Sequence, residues 1–396
     1  QWFINTEKIK AKAIQEVDKI QIYPEKSSQI SKNVLKTQLE KRPYWCISRQ
    51  RSWGVPIPVL YDSKTKSPIV NEELIDYWVK LTEESGSIDF WWERDVKQLL
   101  PESSKLDPAD LIKGKDILDI WFDSGVSWSY ALEGDQVADL YLEGVDQFTG
   151  WFQSSLMTSV GVRGIAPYKN IFVHGLAVDE HGRKMSKSVG NVISPDMIVK
   201  KYGTDAMRWW IAAHSTQHSS IVVSYKLLED GANNLVKIRA TLKYLLGVIG
   251  GSSESGVDEE KLTHLDKFIL HQLTEFNESV KSSYESFQFN RIVASANNFV
   301  NSELSSGYLH LVKDRLYCGH DDEHKQLQRI LLNCYSSLSK GLWPIAPFLI
   351  EESWSYLKED SFYRENLGEP TQWSFPDSVE IVNTALNVKK KLYSTI

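Results

Sequence analysis

The chain has 396 residues, 42% hydrophobic and 24% charged, with a formal net charge of −7. That length holds two or three domains with cores of their own, and the composition excludes a disordered or fibrous chain. No apolar run reaches the roughly 18 residues of a membrane helix, and the acidic balance argues against a general nucleic-acid coat while leaving room for a local basic face. The opening, QWFINTEKIKAKAI, predicts a short strand, a turn and a helix, with no basic-then-apolar targeting segment. Next, WCISRQRSWGVPIP at 45–58 sets Arg49 and Arg51 on either side of Gln50, bracketed by Trp45 and Trp53. This is either an interior turn with cations packed on rings or part of a ligand site. Residues 60–115 are more polar and punctuated by prolines, and read as an insertion or small subdomain. In DIWFDSGVSW, 119–128, an Asp-Ser-Gly turn follows an aromatic pair; alone it does no more than cap a helix.

ADLYLEG at 138–144 and NIFVHGL at 170–176 are β-branched and aromatic runs that reach a glycine, as buried strands do. Between them TGWFQSSLMTSVGV is helical in pattern, with Trp151 or Phe152, Leu156, Ser159 and Val160 on one side. Strand, helix and strand in this spacing predict a parallel βαβ unit. Glu143 stands where the first strand ends, and Gly144, Asp146 and Gln147 lead into the helix. Open α/β sheets bind ligands at that end of their strands. One carboxylate there suits an ammonium group and a second suits ribose hydroxyls; the plain alternative is a turn in which Asp146 caps the helix. HGRKMSKSVGN at 181–191 then places Lys184 and Lys187 three residues apart, with Gly182 and Gly190 as hinges. Such a loop is either a solvated surface feature or one that closes on a pyrophosphate.

Beyond Tyr225 the character changes. Leu228, Ala232, Leu235, Ile238, Leu242 and Leu245 recur at helical steps, and so do Leu262, Leu265, Ile269, Leu273, Phe276, Val280, Tyr284 and Phe287. GGSSESG at 250–256 reads as a flexible break, and further periodic segments occupy 291–311 and 324–341. A helical bundle is expected. Cys46, Cys318 and Cys334 form no CxxC pair, so neither a zinc site nor a disulfide framework is expected, and a reduced compartment is.

Taken together, KMSKS with its sequel VGNVISP, WCISRQRSWGVPIP, WFDSGVSW and LEGVDQFTGWFQSS resemble the class I aminoacyl-tRNA synthetases. The wording of WCISRQRSWGVPIP and LEGVDQFTGWFQSS is similar to the isoleucyl member rather than to the valyl one. LWPIAPFLIEESW resembles part of the bundle that reads the anticodon stem, so the resemblance covers essentially the whole chain. It implies an α/β fold over 1–225, part of a Rossmann-like nucleotide-binding catalytic domain, followed by an all-α anticodon-binding bundle over 226–396. It also implies ATP-dependent activation of isoleucine to an adenylate, then transfer to tRNA(Ile); the alternatives are a valyl- or leucyl-tRNA synthetase, or a non-catalytic tRNA-binding fragment of the same fold. By resemblance, Lys184 and Lys187 are catalytic, and Met185, Ser186 and Ser188 belong to the same ATP-covering loop. Glu143 is implied to hold the amino-acid moiety; Gly144, Asp146 and Gln147 contact ribose and carboxylate. Trp121 and Trp151 are candidate walls of the side-chain pocket, and His174 a contact near adenine.

The implied partners are tRNA(Ile), isoleucine, and ATP with Mg2+, with no zinc site in this chain, no membrane and a monomeric state. The family's His-x-Gly-His signature and its large editing insertion do not occur in these residues. The chain is therefore expected to be a C-terminal portion of a longer enzyme, inactive alone. RWWIAAHSTQHSSI is similar to animal mitochondrial enzymes, which implies the mitochondrial matrix, with the cytoplasm as the alternative. Lys389, Lys390 and Lys391 are either a local RNA-facing patch or a solvated helix face.

Overall fold

The structure, a computed structural model, describes residues 1–215, 220–250, 256–365 and 368–395. Most of the predicted break at 250–256 lies outside them, as do the side chains of Lys389 and Lys390. Two compact units divide the chain, Gln1–Val173 and His174–Ile396.

In the first unit the opening residues form the strand Phe3–Asn5 and the helix Glu7–Lys19. Ala13 and Val17 are four apart, so they share one helix face, and both are buried. A three-stranded sheet has the order Gln21–Tyr23, Tyr168–His174, Ala138–Gly144. Its first pair is parallel, with Ile22 opposite Ile171. In the second pair the Ala138 N–H donates to the Pro167 carbonyl (2.9 Å) and Lys169 pairs with Asp139 (2.8 Å), so both strands start from the same end. The helix between them is Trp151–Arg163.

That helix departs from the amphipathic expectation. Every residue from Phe152 to Val160 is buried, not one face alone. Burying serines and threonines is tolerable because their hydroxyls find carbonyls: Ser155 Oγ donates to Trp151 O (2.6 Å) and Ser159 Oγ to Ile165 O (2.8 Å). Within 60–111 a separate core forms around Leu60, Trp78, Trp91 and Leu99. It packs with an antiparallel sheet of order Pro68–Ile69, Leu60–Asp62, Leu111–Lys113.

The second unit opens with Leu176–Val178 paired in parallel with Ser220–Val222 and is otherwise helical. Its longest helices are Tyr225–Ile249, His264–Glu285, Asp321–Leu342 and Pro376–Thr395. Leu228, Leu235, Ile238, Leu242 and Leu245 are buried along one stripe of the first of these. Leu262 and Phe287, which fit the periodicity of the second, stand outside it: a capping box between Thr263 and Asp266 starts the helix after Leu262, and the chain leaves the helix at Ser286, with Phe287 at φ 54°. Nor is 291–311 one α-helix. Phe289–Asn298 passes into a ten-residue π-helix, Phe299–Tyr308, whose wider turn carries no hydrophobic signature of its own.

Asp266 has no exposed surface. Its Oδ2 accepts from the Thr263 N–H (3.0 Å) and hydroxyl (2.7 Å), and its Oδ1 accepts from Arg315 (3.0 Å) and the Tyr308 hydroxyl. Among the described residues no helix is long and apolar enough to cross a membrane.

Candidate functional site

In the first unit the site is built on the end of Ala138–Gly144. Glu143 and Asp146 are exposed, while Gly144 is buried beneath the turn. A helix start leaves N–H groups unpaired. Here Gln147 rather than Asp146 answers one of them: its Oε1 accepts from the Trp151 N–H (3.0 Å), and its Nε2 donates to Asp146 Oδ2 (2.9 Å). The Asp146 carboxylate is thereby left at the surface, beside Glu143 in sequence.

Trp151 joins two of the stretches singled out in the sequence. Its indole N–H reaches the Ser124 carbonyl (2.9 Å) and the Ser127 hydroxyl (3.1 Å), and its ring stacks on Tyr141 at 4.0 Å. Trp121, 41% exposed, lies over Gly150 so closely that a Cβ there would meet its ring at 2.7 Å and Gln147 Oε1 at 2.8 Å. Gly150→Ala should therefore push Trp121 outward and cost about 1–3 kcal/mol, the usual scale of overpacking. Thermal melting with tryptophan emission checks this, and an unchanged melting temperature would remove the close approach from the account.

The arginine-rich stretch meets Asp119 of the second stretch. Arg49 pairs with Asp119 Oδ2 at 3.0 Å, and the Trp45 indole donates to the same oxygen at 3.4 Å. Arg49, Arg51, Trp53, Asp119, Trp121 and Asp123 line one cavity of about 990 Å³. Burial, with the Asp119 charge adding to it, pushes the Asp123 carboxyl above its ordinary range. Trp53 is 91% exposed while Trp45, Ser48 and Ile57 are buried, so the stretch is anchored in the interior at its ends and turns at the surface. Three of the four stretches thus converge within this unit.

The fourth belongs to the second unit. Gly182 and Gly190 both have φ near the left-handed region, 74° and 73°, which a residue with a Cβ rarely adopts. Between them Lys184 and Lys187 are exposed, and neither makes an ion pair among the described residues. Met185 behaves differently: its side chain packs on a cluster of Ile198, Trp210, Val223 and Leu228. Ser186 Oγ lies 3.1 Å from Ser188 Oγ and accepts from the Val189 N–H (3.3 Å). His174 ends its strand with Nδ1 against the Gly175 carbonyl, 2.9 Å away.

Sequence reasoning missed Asp179 and Asn191, whose bonds tie the loop together. Nothing in their spacing marks them, since the contacts, side chain to side chain as well as side chain to backbone, arise only when the turn folds back.

Residues 1–224 match the family described as tRNA synthetases class I (I, L, M and V). The chain belongs to the class I tRNA synthetases. Its residues 266–395 match the anticodon-binding domain of tRNA ligase. Among the synthetases to which it is similar, the mitochondrial isoleucine–tRNA ligase of Gallus gallus is 36% identical over 420 residues, covering 100% of this chain and 41% of that protein. The isoleucine–tRNA ligase of Cyanothece sp. (strain PCC 7425) is 38% identical over 382 residues, covering 92% and 39%. The chain thus spans about two fifths of the length of these curated relatives, 41% and 39%. The crystal structure of the ternary complex of Agrobacterium radiobacter K84 agnB2 LeuRS, tRNA and LeuAMS shares the synthetase fold, with a TM-score of 0.63 at 22% identity over 89% of this chain and 46% of that one.

Proposed function

We propose that this chain carries out its family's chemistry as part of an isoleucine–tRNA ligase. The observation that supports this most is identity of 36–38% to isoleucine enzymes along essentially the whole chain. In the reaction an isoleucine carboxylate oxygen bonds to the α-phosphorus of ATP, the bond to the bridging oxygen breaks, and pyrophosphate departs with that electron pair. A ribose hydroxyl of tRNA(Ile) then attacks the acyl carbon and releases AMP. The protein forms no covalent bond, so positioning and fixed charge supply the rate.

Lys184 and Lys187, exposed and without ion pairs among the described residues, suit the charge that grows on the α-phosphate and the leaving pyrophosphate. Ser186 and Ser188 offer hydroxyls at the same loop. Mg2+ enters as part of the ATP substrate. Glu143 is assigned to the isoleucine ammonium, Gly144, Asp146 and Gln147 to ribose and carboxylate, Trp121 and Trp151 to the aliphatic side chain, and His174 to the adenine. The helices from 226 onward take the anticodon arm. The enzyme is read as a monomer of the mitochondrial matrix, in keeping with vertebrate mitochondrial relatives at 36–37% identity, although the bacterial ones are as similar.

Isoleucine-dependent pyrophosphate exchange tests this reading, using a chimera in which the chain replaces the segment of the Gallus gallus enzyme that it matches. Exchange that prefers valine or leucine would overturn it. In the same chimera Glu143→Gln should raise the isoleucine KM by roughly ten- to a hundred-fold, the loss of a charge-assisted hydrogen bond worth about 1.5–3 kcal/mol. Melting should not move, because Glu143 is exposed. A shifted melt with an unchanged KM would make it a structural residue.

A further inference from the structure

We propose that Asp179 and Asn191 form a clasp that positions the lysine loop, so that Lys184 and Lys187 are presented on a preshaped turn. Asp179 follows the strand Leu176–Val178 and is only 8% exposed. One oxygen, Oδ1, accepts the N–H groups of His181 (3.0 Å) and Arg183 (2.9 Å). The other, Oδ2, accepts Nε and a terminal nitrogen of Arg183 (both 2.8 Å) and Asn191 Nδ2 (3.0 Å). Asn191 turns its own Oδ1 to the Ser186 N–H at 3.0 Å. Two side chains twelve positions apart therefore close the loop at its base and grip its middle.

The backbone follows the same course. The Asp179 N–H donates to Arg183 O (2.9 Å), the Met185 N–H to Ala177 O (3.3 Å), and Val178 bridges Lys184. The charge arrangement matters as much as the shape. Asp179 spends its carboxylate on Arg183 and Asn191, so it orders the loop without compensating either lysine. The hydrogen bond from Asn191, with those from Arg183 and His181, holds its carboxyl below the usual carboxylate range. A carboxyl depressed in this way keeps its bonds at neutral pH and loses them only when the pH falls below that range. Ordering the loop in advance removes a cost that binding would otherwise meet.

Asp179 and Asn191 are positioning residues, and their role rests on the reading of Lys187 as a phosphate contact. The test has two parts. In the chain itself, trypsin cleavage after Arg183, Lys184 and Lys187 should quicken at least tenfold in Asn191→Ala and Asp179→Asn, while cleavage at sites outside the loop keeps its rate. Unchanged cleavage overturns the clasp whatever the loop binds.

In the chimera, Asn191→Ala should lower the exchange kcat at least tenfold with the isoleucine KM unchanged, and adding Lys187→Ala should cost much less than it does alone. Fully additive losses would overturn the positioning role while sparing the phosphate reading. Normal turnover by Lys187→Ala alone would overturn both. Should Asn191→Ala fail to fold, Asp179→Asn, which keeps the side chain's size, carries the same cycle.

Discussion

Replacing Arg315 with alanine should lower the stability of the helical unit by about 3 kcal/mol. The reason is the carboxylate it leaves behind. Asp266 has no exposed surface, and Arg315 is the cation bonded to it, at 3.0 Å. Breaking a buried pair from one side usually costs about 3–5 kcal/mol, because the remaining charge has no water to turn to. The lower end applies here, since the Arg315 side chain keeps 23% of its surface exposed and water can enter the space it vacates. Thr263 and Tyr308 would still donate to the carboxylate, and Tyr308→Phe should therefore cost less, about 1 kcal/mol. Urea unfolding followed by far-ultraviolet circular dichroism measures both. A loss below about 1 kcal/mol for Arg315→Ala would mean that the neutral donors alone satisfy Asp266.

The second large effect is kinetic. In the chimera, Lys187→Ala should cut the pyrophosphate-exchange kcat by about 10²–10³, or about 3–4 kcal/mol, the scale of losing one preorganised donor to developing charge. Charge on the leaving pyrophosphate is mostly absent from bound ATP and grows as the bond breaks. An interaction with it therefore appears in kcat rather than in substrate affinity. The isoleucine KM should stay put. A raised ATP KM with normal kcat would show that Lys187 binds ground-state phosphate only.

What could be read in advance follows from the range of the interactions. ADLYLEG coincides with the strand Ala138–Gly144 because a short apolar and aromatic run ending at glycine is a local signal, but the expected burial fails: of its seven residues only Tyr141 and Gly144 are buried, and Leu142 is 56% exposed. The stripe from Leu228 to Leu245 is legible for the same reason, since helical periodicity is a local property. The helix Trp151–Arg163 was found, but its burial on every side was not. Polar residues are expected at a surface, and only the partners of Ser155 and Ser159 explain why they are not there. In the candidate site the same limit applies. Glu143, Asp146, Lys184 and Lys187 stand out by residue type, whereas Gln147 as the helix cap, Trp151 as a tie to Ser124 and the Asp179–Asn191 bonds depend on how turns fold back. The π-helix at Phe299–Tyr308 escaped for a further reason: a widened turn uses ordinary helix-forming residues.

Met185 has a consequence for anyone who cuts this chain into pieces. Its side chain shares one apolar cluster with Ile198 and Trp210 upstream of the bundle and with Val223 and Leu228 at the start of Tyr225–Ile249. A truncation at Tyr225 would look natural on a sequence map, since a polar cap and a long helix begin there. It would strip Leu228 from Trp210 and leave apolar faces open to water on both fragments, each losing on the order of 1.5–3 kcal/mol per uncovered large side chain. The KMSKS stretch would then be tethered to a half-open cluster. Severing the chain after Val173 instead keeps Met185, Trp210 and Leu228 in one piece, and so keeps the footing of the loop with its lysines.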